Sequence, residues 1–396
     1  MKVYLIGTGM EGAKTLTSEA KAAIERSELL IGAERMLAPF VGTGKKTACA
    51  YIPREIRDIL EKENPQTASV LLSGDTGFFS GAAKLSGELS GFDAETVCGI
   101  SSPAYLCAKA GLSYESMKFV SLHGREGNIA VNVRMNEKCF FLLGGAVGAG
   151  EVCKRLCEYG MPEVRVYIGE RLGYPDERVT TGSAAKLCGT ETAGLCSMIA
   201  VNPDFLPFIP SCIGDGEFVR TDIPMTKSAV RGNIVSGLEI GRGSVCWDVG
   251  CGTGSVSVEM AFRCPDGRVF AFDKKPEAVE LTMQNARRFG CDNIFAAQAE
   301  LPDLPENVPA PDKVFIGGSS GSMAEIFALV TERNPQADMT VSAVSLETLG
   351  QAVSAFEEYG FAYETIQLAV TETRKVGGHT MLRAQNPVFI IRGRRL

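Results

Sequence analysis

Short apolar runs of strand length alternate with helix-period segments along nearly the whole chain, and this alternation restricts the fold more than any other feature. Val3–Thr8, Ser69–Ser73, Thr96–Ile100, Lys138–Leu143 and Val164–Ile168 read as strands. Helices are expected between them at Ser18–Arg26, Arg54–Glu63, Ala82–Leu89 and Glu151–Tyr159. The pattern resumes after residue 240, with strands expected at Val245–Val249, Val269–Phe272, Lys313–Ile316 and Met339–Ser342. Helices are expected there near 254–262, 276–289, 322–332 and 347–358. Such alternation predicts an α/β fold of parallel sheets with crossover helices. Turn formers crowd together between about 203 and 225, at Asn202-Pro203-Asp204, Phe208–Ser211, Gly214-Asp215-Gly216 and Pro224. The expected organisation is a domain over 1–208, a linker over 209–224 and a second domain over 225–396. A chain of 396 residues exceeds what one hydrophobic core ordinarily supports.

Composition removes several function classes. No apolar run approaches the roughly 18–20 residues that span a bilayer, so no membrane partner is expected. Met1–Gly7 enters a strand-like segment without the basic, apolar and cleavage regions of an export signal, which predicts a cytoplasmic location. Thirteen cysteines contain no Cys-x-x-Cys pair, and the two histidines, His123 and His379, lie far apart. No metal site is expected, and Cys98, Cys139, Cys196 and Cys246 read as small hydrophobes in a reducing compartment. A formal charge of −7 opposes a nucleic-acid partner, because such surfaces gather Lys and Arg against phosphates. It leaves room for a small anionic substrate held by a few local bases.

The strongest site signal is Ser244–Ser255, where an apolar strand runs into Gly250, Gly252 and Gly254 and a helical segment follows. Glycines there let the backbone turn sharply and let a ligand approach the main chain. The next strand, Arg268–Asp273, ends in a carboxylate nineteen positions after Gly254, where such folds grip ribose hydroxyls. The spacing is G-x-G-x-G rather than the dinucleotide G-x-G-x-x-G, and Asp248 precedes it. A carboxylate there would repel a pyrophosphate but could pair with the amino group or sulfonium of S-adenosylmethionine. The loop resembles motif I of class I methyltransferases. The tail agrees, since Phe361–Thr371 and Pro387–Arg392 are two β-rich runs with no helix between them. The expected loop between them carries Arg374, Lys375, His379 and Arg383, which read either as a solvated hairpin or as a grip for substrate carboxylates.

The first half carries different motifs. Gly7-Thr8-Gly9-Met10-Glu11-Gly12 closes the first strand, and Leu72–Ser80 places Gly74-Asp75 after another. Together with Cys98–Ser102 and Ser121–Arg125 these resemble the tetrapyrrole methylase (class III) family, in that family's order. Gly169–Arg178 resembles its branch that methylates C5 of a precorrin. Met225–Arg231, the Asp248–Gly254 loop and Phe315–Ser319 resemble the decarboxylating C15-methyltransferases. In this order the two halves resemble the fused precorrin C5,15-methyltransferases of cobalamin biosynthesis. The resemblance implies a tetrapyrrole methylase fold of two α/β subdomains followed by a Rossmann-like class I domain. It also implies one S-adenosylmethionine site per domain, an anionic tetrapyrrole partner, and a homo-oligomer of two or four chains. Where the family carries Pro, this chain has Met10, Thr76 and Cys98, which loosens φ at three turns. Ala229 stands where the family has Glu, removing a capping partner for Thr226.

The resemblance assigns Gly7, Gly9, Gly74, Asp75, Phe78, Ser101 and Ser102 to the first cofactor site. Asp248, Gly250, Gly252, Gly254, Asp273 and Ala299 go to the second. His123, Arg125, Gly317, Gly318, Arg374 and Lys375 are candidates to face substrate. Methyl transfer to carbon rests chiefly on alignment and exclusion of water. Decarboxylation adds a need for a cation and a proton donor, for which Lys227, Arg231, His379 and Arg383 are candidates; as helix residues, Lys227 and Arg231 read equally as solvated. Two other readings stand beside this one. The first half could act on uroporphyrinogen, ribosomal RNA or diphthine in fusion with an unrelated methyltransferase, or the chain could be a corrinoid-binding scaffold.

Overall fold

The computed structural model describes residues 1–11, 14–124, 126–145, 147–192, 194–209 and 212–395. The chain divides into two compact units. Unit 1 comprises Met1–Glu126, Lys138–Lys154 and Glu163–Val201; unit 2 comprises Gly127–Glu137, Arg155–Pro162 and Asn202–Leu396.

Unit 1 holds two five-stranded sheets. The first uses β1 (Lys2–Gly7), β2 (Leu29–Gly32), β3 (Lys46–Cys49), β4 (Thr67–Leu72) and β5 (Asp93–Val97) in the order β3-β2-β4-β1-β5, all parallel. Central strands are near-continuous apolar runs because helices cover both faces of a parallel sheet; all four residues of β2 are buried. The last strand was expected at Thr96–Ile100 but lies three residues earlier. As an edge strand with four of its five residues exposed, it needs no apolar pattern that could mark it.

The second sheet uses β6 (Lys118–Ser121), β7 (Lys138–Leu143), β8 (Arg165–Glu170), β9 (Arg178–Ser183) and β10 (Cys196–Val201) in the order β6-β7-β10-β8-β9. Only β6 and β7 run parallel; the other three pairings are antiparallel. The expectation of parallel sheets throughout fails here. A parallel crossover needs a long connection, whereas β8 and β9 are joined by a short loop and only the one-turn helix Ala184–Leu187 precedes β10.

Unit 2 is built on β11 (Val245–Val249), β12 (Arg268–Asp273), β13 (Ile294–Gln298), β14 (Lys313–Ile316), β15 (Asp338–Ala343) and β16 (Ala362–Leu368). β17 (Thr371–Val376) and β18 (His379–Ala384) form a separate hairpin, and β19 (Val388–Arg394) returns to the main sheet. The seven-strand order is β13-β12-β11-β14-β15-β19-β16, with β19 antiparallel between β15 and β16. From β11 the chain steps outward to β12 and β13, then returns to β14 on the other side. That reversal opens a crevice at the carboxyl ends of β11 and β14, the place where open α/β sheets bind ligands. Trp247 and Phe315 pack fully buried on opposite faces beneath it. Part of the turn-rich break belongs to the core of this unit: Ile213 and Phe218 are buried in it. No helix among the described residues is long and apolar enough to cross a membrane.

Candidate functional site

The crevice of unit 2 is a cleft of about 550 Å3. Gly250, Gly252 and Gly254 turn the chain out of β11 with φ of 77°, 54° and 73°. The glycines are also required by space. A Cβ on Gly250 would fall 2.7 Å from Gly318 N, and one on Gly252 would fall 2.9 Å from Pro224 O. Asp273, the last residue of β12, accepts from Gly252 N at 3.0 Å through Oδ2 and from Lys275 N at 3.0 Å through Oδ1. Each carboxylate oxygen keeps a further lone pair for a hydroxyl donor in the cleft. Lys227, Ala299, Gly317 and Gly318 line the same space.

Asp248 is placed differently from the expectation of a direct pairing with the donor. It is fully buried and does not line the cleft. The Ser257 hydroxyl donates to its Oδ2, while Oδ1 has no partner among the described residues. Burial lifts this carboxyl to about 7, against the lowering effect of the bonds to Ser257. Gly254 likewise lies behind the cleft, as the left-handed residue that starts the Ser255–Arg263 helix.

Arg231, a catalytic candidate, points inward. It is fully buried, and its Nε donates to Glu259 Oε1 at 2.6 Å. Its two terminal nitrogens donate to Thr226 O at 2.6 Å, Asp215 Oδ1 at 3.3 Å and Ile213 O. Such a group cannot reach a substrate without abandoning a buried carboxylate; it ties the 213–226 stretch to the unit. That stretch is what the sequence reading missed. Ile223, Pro224 and Met225 form a wall of the cleft, and Asn285 bridges Val219 and Thr253 O. The only prior signal was the Met225–Arg231 motif. His379, Arg383, Arg374 and Lys375 sit on the β17–β18 hairpin, all exposed, and line neither cleft. The segment expected as a loop is thus a two-stranded ribbon.

Unit 1 has its own cleft of about 240 Å3, lined by Gly74, Asp75, Phe78, Ser102 and His123. Gly9 and Gly74 exchange backbone bonds of 3.0 and 2.9 Å. Asp75 closes the third side, accepting from Gly99 N at 2.9 Å and Gly77 N at 3.0 Å. A Cβ on Gly7 would fall 2.7 Å from Gly99 N, so the ends of β1, β4 and β5 meet backbone to backbone. Ser101 caps the Ser102–Ala110 helix through Ala104 N. Phe78 packs edge-on against Phe119 and Phe140, and His123 lies over Gly144. Gly7, Gly9 and Ser101 support the cleft without lining it, and Arg125 lies outside the described residues. Arg35 and Leu195 line this cleft and were not singled out from sequence; Tyr174 lines it too and fell within the Gly169–Arg178 motif without a role assigned to it. Among the described residues no group of three or more His, Cys, Asp or Glu side chains could hold a metal ion.

Comparison with known proteins finds a separate family match in each half of the chain. Residues 2–188 match the family model of tetrapyrrole (corrin/porphyrin) methylases, and residues 217–395 match that of the precorrin methyltransferase domain. A Pyrobaculum calidifontis protein named probable cobalt-precorrin-6B C(15)-methyltransferase (decarboxylating) is 39% identical over 188 residues, covering 47% of this chain and 96% of its own. A Sinorhizobium protein named precorrin-6Y C(5,15)-methyltransferase [decarboxylating] is 25% identical over 391 residues, covering 97% of this chain and 94% of its own. This chain belongs to the decarboxylating precorrin C5,15-methyltransferase family.

A solved chain from Geobacter metallireducens, named precorrin-6y C5,15-methyltransferase, is 34% identical, covers 48% of this chain and 100% of its own, and superposes with a TM-score of 0.45. In this member of the decarboxylating precorrin methyltransferases the second family match begins at residue 217, inside the stretch that Arg231 fastens. Residues 217–395, beginning at the last residue of the 3-10 turn Asp215–Glu217, therefore belong by sequence kinship to the cleft-bearing fold.

Proposed function

We propose that the chain methylates one corrin-ring precursor twice, at C5 through its first half and at C15 through its second, and removes the ring-C acetate carboxyl as carbon dioxide. This is a reaction of cobalamin biosynthesis. The observation that carries the reading is the cleft at the β11–β14 reversal, where a left-handed glycine turn faces a strand-end carboxylate, Asp273. Its backbone cradle, which a Cβ would fill, fits an adenosyl group whose ribose hydroxyls bond Asp273. When bound, S-adenosylmethionine supplies a methyl group on a positively charged sulfur.

One such site in each half is part of the proposal. Gly250, Gly252, Asp273 and Ala299 would hold the second, with Asp248 and Gly254 shaping the loop from behind. Gly74, Asp75, Phe78 and Ser102 would hold the first, supported by Gly7, Gly9 and Ser101. Gly317 and Gly318 leave the rim of the second cleft open to a flat ring system. Lys227, which lines this cleft together with Lys274 and Lys275, would receive the acetate to be lost; its Nζ lies 3.9 Å from Asp215, a distance that leaves its hydrogen bonds available. As the carbon–carbon bond breaks, its electron pair stays with the ring-side carbon, which then takes a proton. The Lys227 ammonium is a suitable donor. A cytoplasmic location and assembly into dimers or tetramers belong to the same reading.

The test is incubation of the purified chain with S-adenosylmethionine and precorrin-6B or its cobalt form. The product should gain two methyl groups and lose one carbon dioxide by mass. Product lacking both methyls, or a chain that binds no S-adenosylhomocysteine, rules the reading out.

A further inference from the structure

Resting on the reading of the unit 1 cleft as a site for donor and tetrapyrrole, we propose that the Tyr174 hydroxyl is a binding contact there, donating a hydrogen bond to a ligand carboxylate. The loop from β8 to β9 consumes its own charged groups. Arg178 Nε donates to Glu170 Oε2 at 2.7 Å, and Arg171 Nε lies 2.5 Å from Asp176 Oδ2. Glu177 accepts from Gly173 N at 2.6 Å and pairs with Lys109 Nζ, also at 2.6 Å. These ties hold Arg171 at a φ of 47°, a left-handed conformation that a non-glycine residue keeps only where its surroundings enforce it. These ties are in place without any ligand.

What the loop presents is Tyr174. The side chain lines the cleft, and its hydroxyl oxygen is buried with no hydrogen-bond partner among the described residues. A buried hydroxyl without a partner weakens a fold, so its place in a cleft wall points to a ligand atom that completes it. Positive charge beside it sets the chemistry of that atom. Arg35 lines the same cleft, while the Arg171 guanidinium, already paired with Asp176, lies 4.9 Å from the Tyr174 ring centroid and orients the ring. The acceptor that Arg35 suits is anionic. Carboxylates occur on the amino-acid end of the donor and on the acid side chains of the tetrapyrrole, and the experiment separates these two sources.

Tyr174→Phe in the full chain removes one oxygen and should leave the thermal midpoint unchanged or slightly raised. If the carboxylate is the donor's, one of the two S-adenosylhomocysteine sites weakens about tenfold, and it is the site that survives in Gly252→Arg. If it is the tetrapyrrole's, both sites keep their affinity and KM for C5 methylation rises about tenfold, with C15 methylation untouched. Unchanged affinity together with unchanged KM overturns the proposal. So does a lowered midpoint, which would mean the hydroxyl has a partner within the protein. A wild-type chain with no S-adenosylhomocysteine in this cleft overturns the underlying reading instead, and is told apart by the wild-type titration alone.

Discussion

Asp248 sits under the glycine turn with one oxygen bonded to Ser257 and the other unmatched, and burial holds it near 7 rather than in the ordinary carboxyl range. The sign of its effect on stability follows. Between about pH 4 and 7 the unfolded chain has released this proton and the folded chain has kept it, so stability falls as pH rises through that window. Asp248→Asn, which has no proton to lose, should remove that slope. Relative to the variant, the wild type should lose up to about 4 kcal/mol between pH 4 and pH 7 in urea unfolding. Parallel slopes for the two proteins would refute the placement. The sequence marked Asp248 as special because an acid before a glycine turn is unusual chemistry. Whether it touches ligand or lies behind the loop depends on Ser257, nine residues later on a helix whose packing no spacing rule specifies.

Two elements separate what packs from what only projects. The stretch 213–226 is fastened within unit 2 by side-chain ties centred on Arg231. Arg231→Met should cost about 3–5 kcal/mol, because Glu259 would remain as a buried, uncompensated charge. Arg231→Met combined with Glu259→Leu should recover part of that loss, read as the urea midpoint; equal losses in both variants would show that the pair is not what fastens the stretch. The β17–β18 ribbon is the opposite case. All twelve of its strand residues are exposed. Arg374→Ala with Arg383→Ala should change unfolding free energy by less than about 0.5 kcal/mol each. If the ribbon grips substrate acids, the same pair should raise KM for the tetrapyrrole several-fold while S-adenosylhomocysteine affinity stays unchanged. An unchanged KM assigns these cations to solvent. Turn residues marked the 203–225 stretch as irregular, and the basic segment between two β-rich runs was read as a loop, since neither carries a periodic apolar face.

For the molecule as a whole, two clefts with separate glycine cradles predict separable activities. Gly252→Arg places a side chain against Pro224 O and should abolish C15 methylation with decarboxylation while C5 methylation continues. Gly99→Val should do the reverse, since a Cβ there would lie 2.3 Å from Gly74 O and 2.6 Å from Gly7 O. Product mass and a fall from two S-adenosylhomocysteine sites to one would read both variants. Loss of both reactions in either variant would mean the halves do not act independently.

The helices Ser18–Arg26 and Pro276–Phe289, the strands Val245–Val249 and Lys313–Ile316, and the left-handed glycine turn at 250–254 were legible from the chain itself. Their signals are local: apolar periodicity, caps, and residues that tolerate a positive φ. The antiparallel pairing of β7, β10, β8 and β9, the inward turn of Arg231 and the wall made by Ile223–Met225 were decided by the tertiary structure. Each depends on which distant surfaces meet, and a side chain becomes a buried tie or a cleft wall according to the partner that meets it.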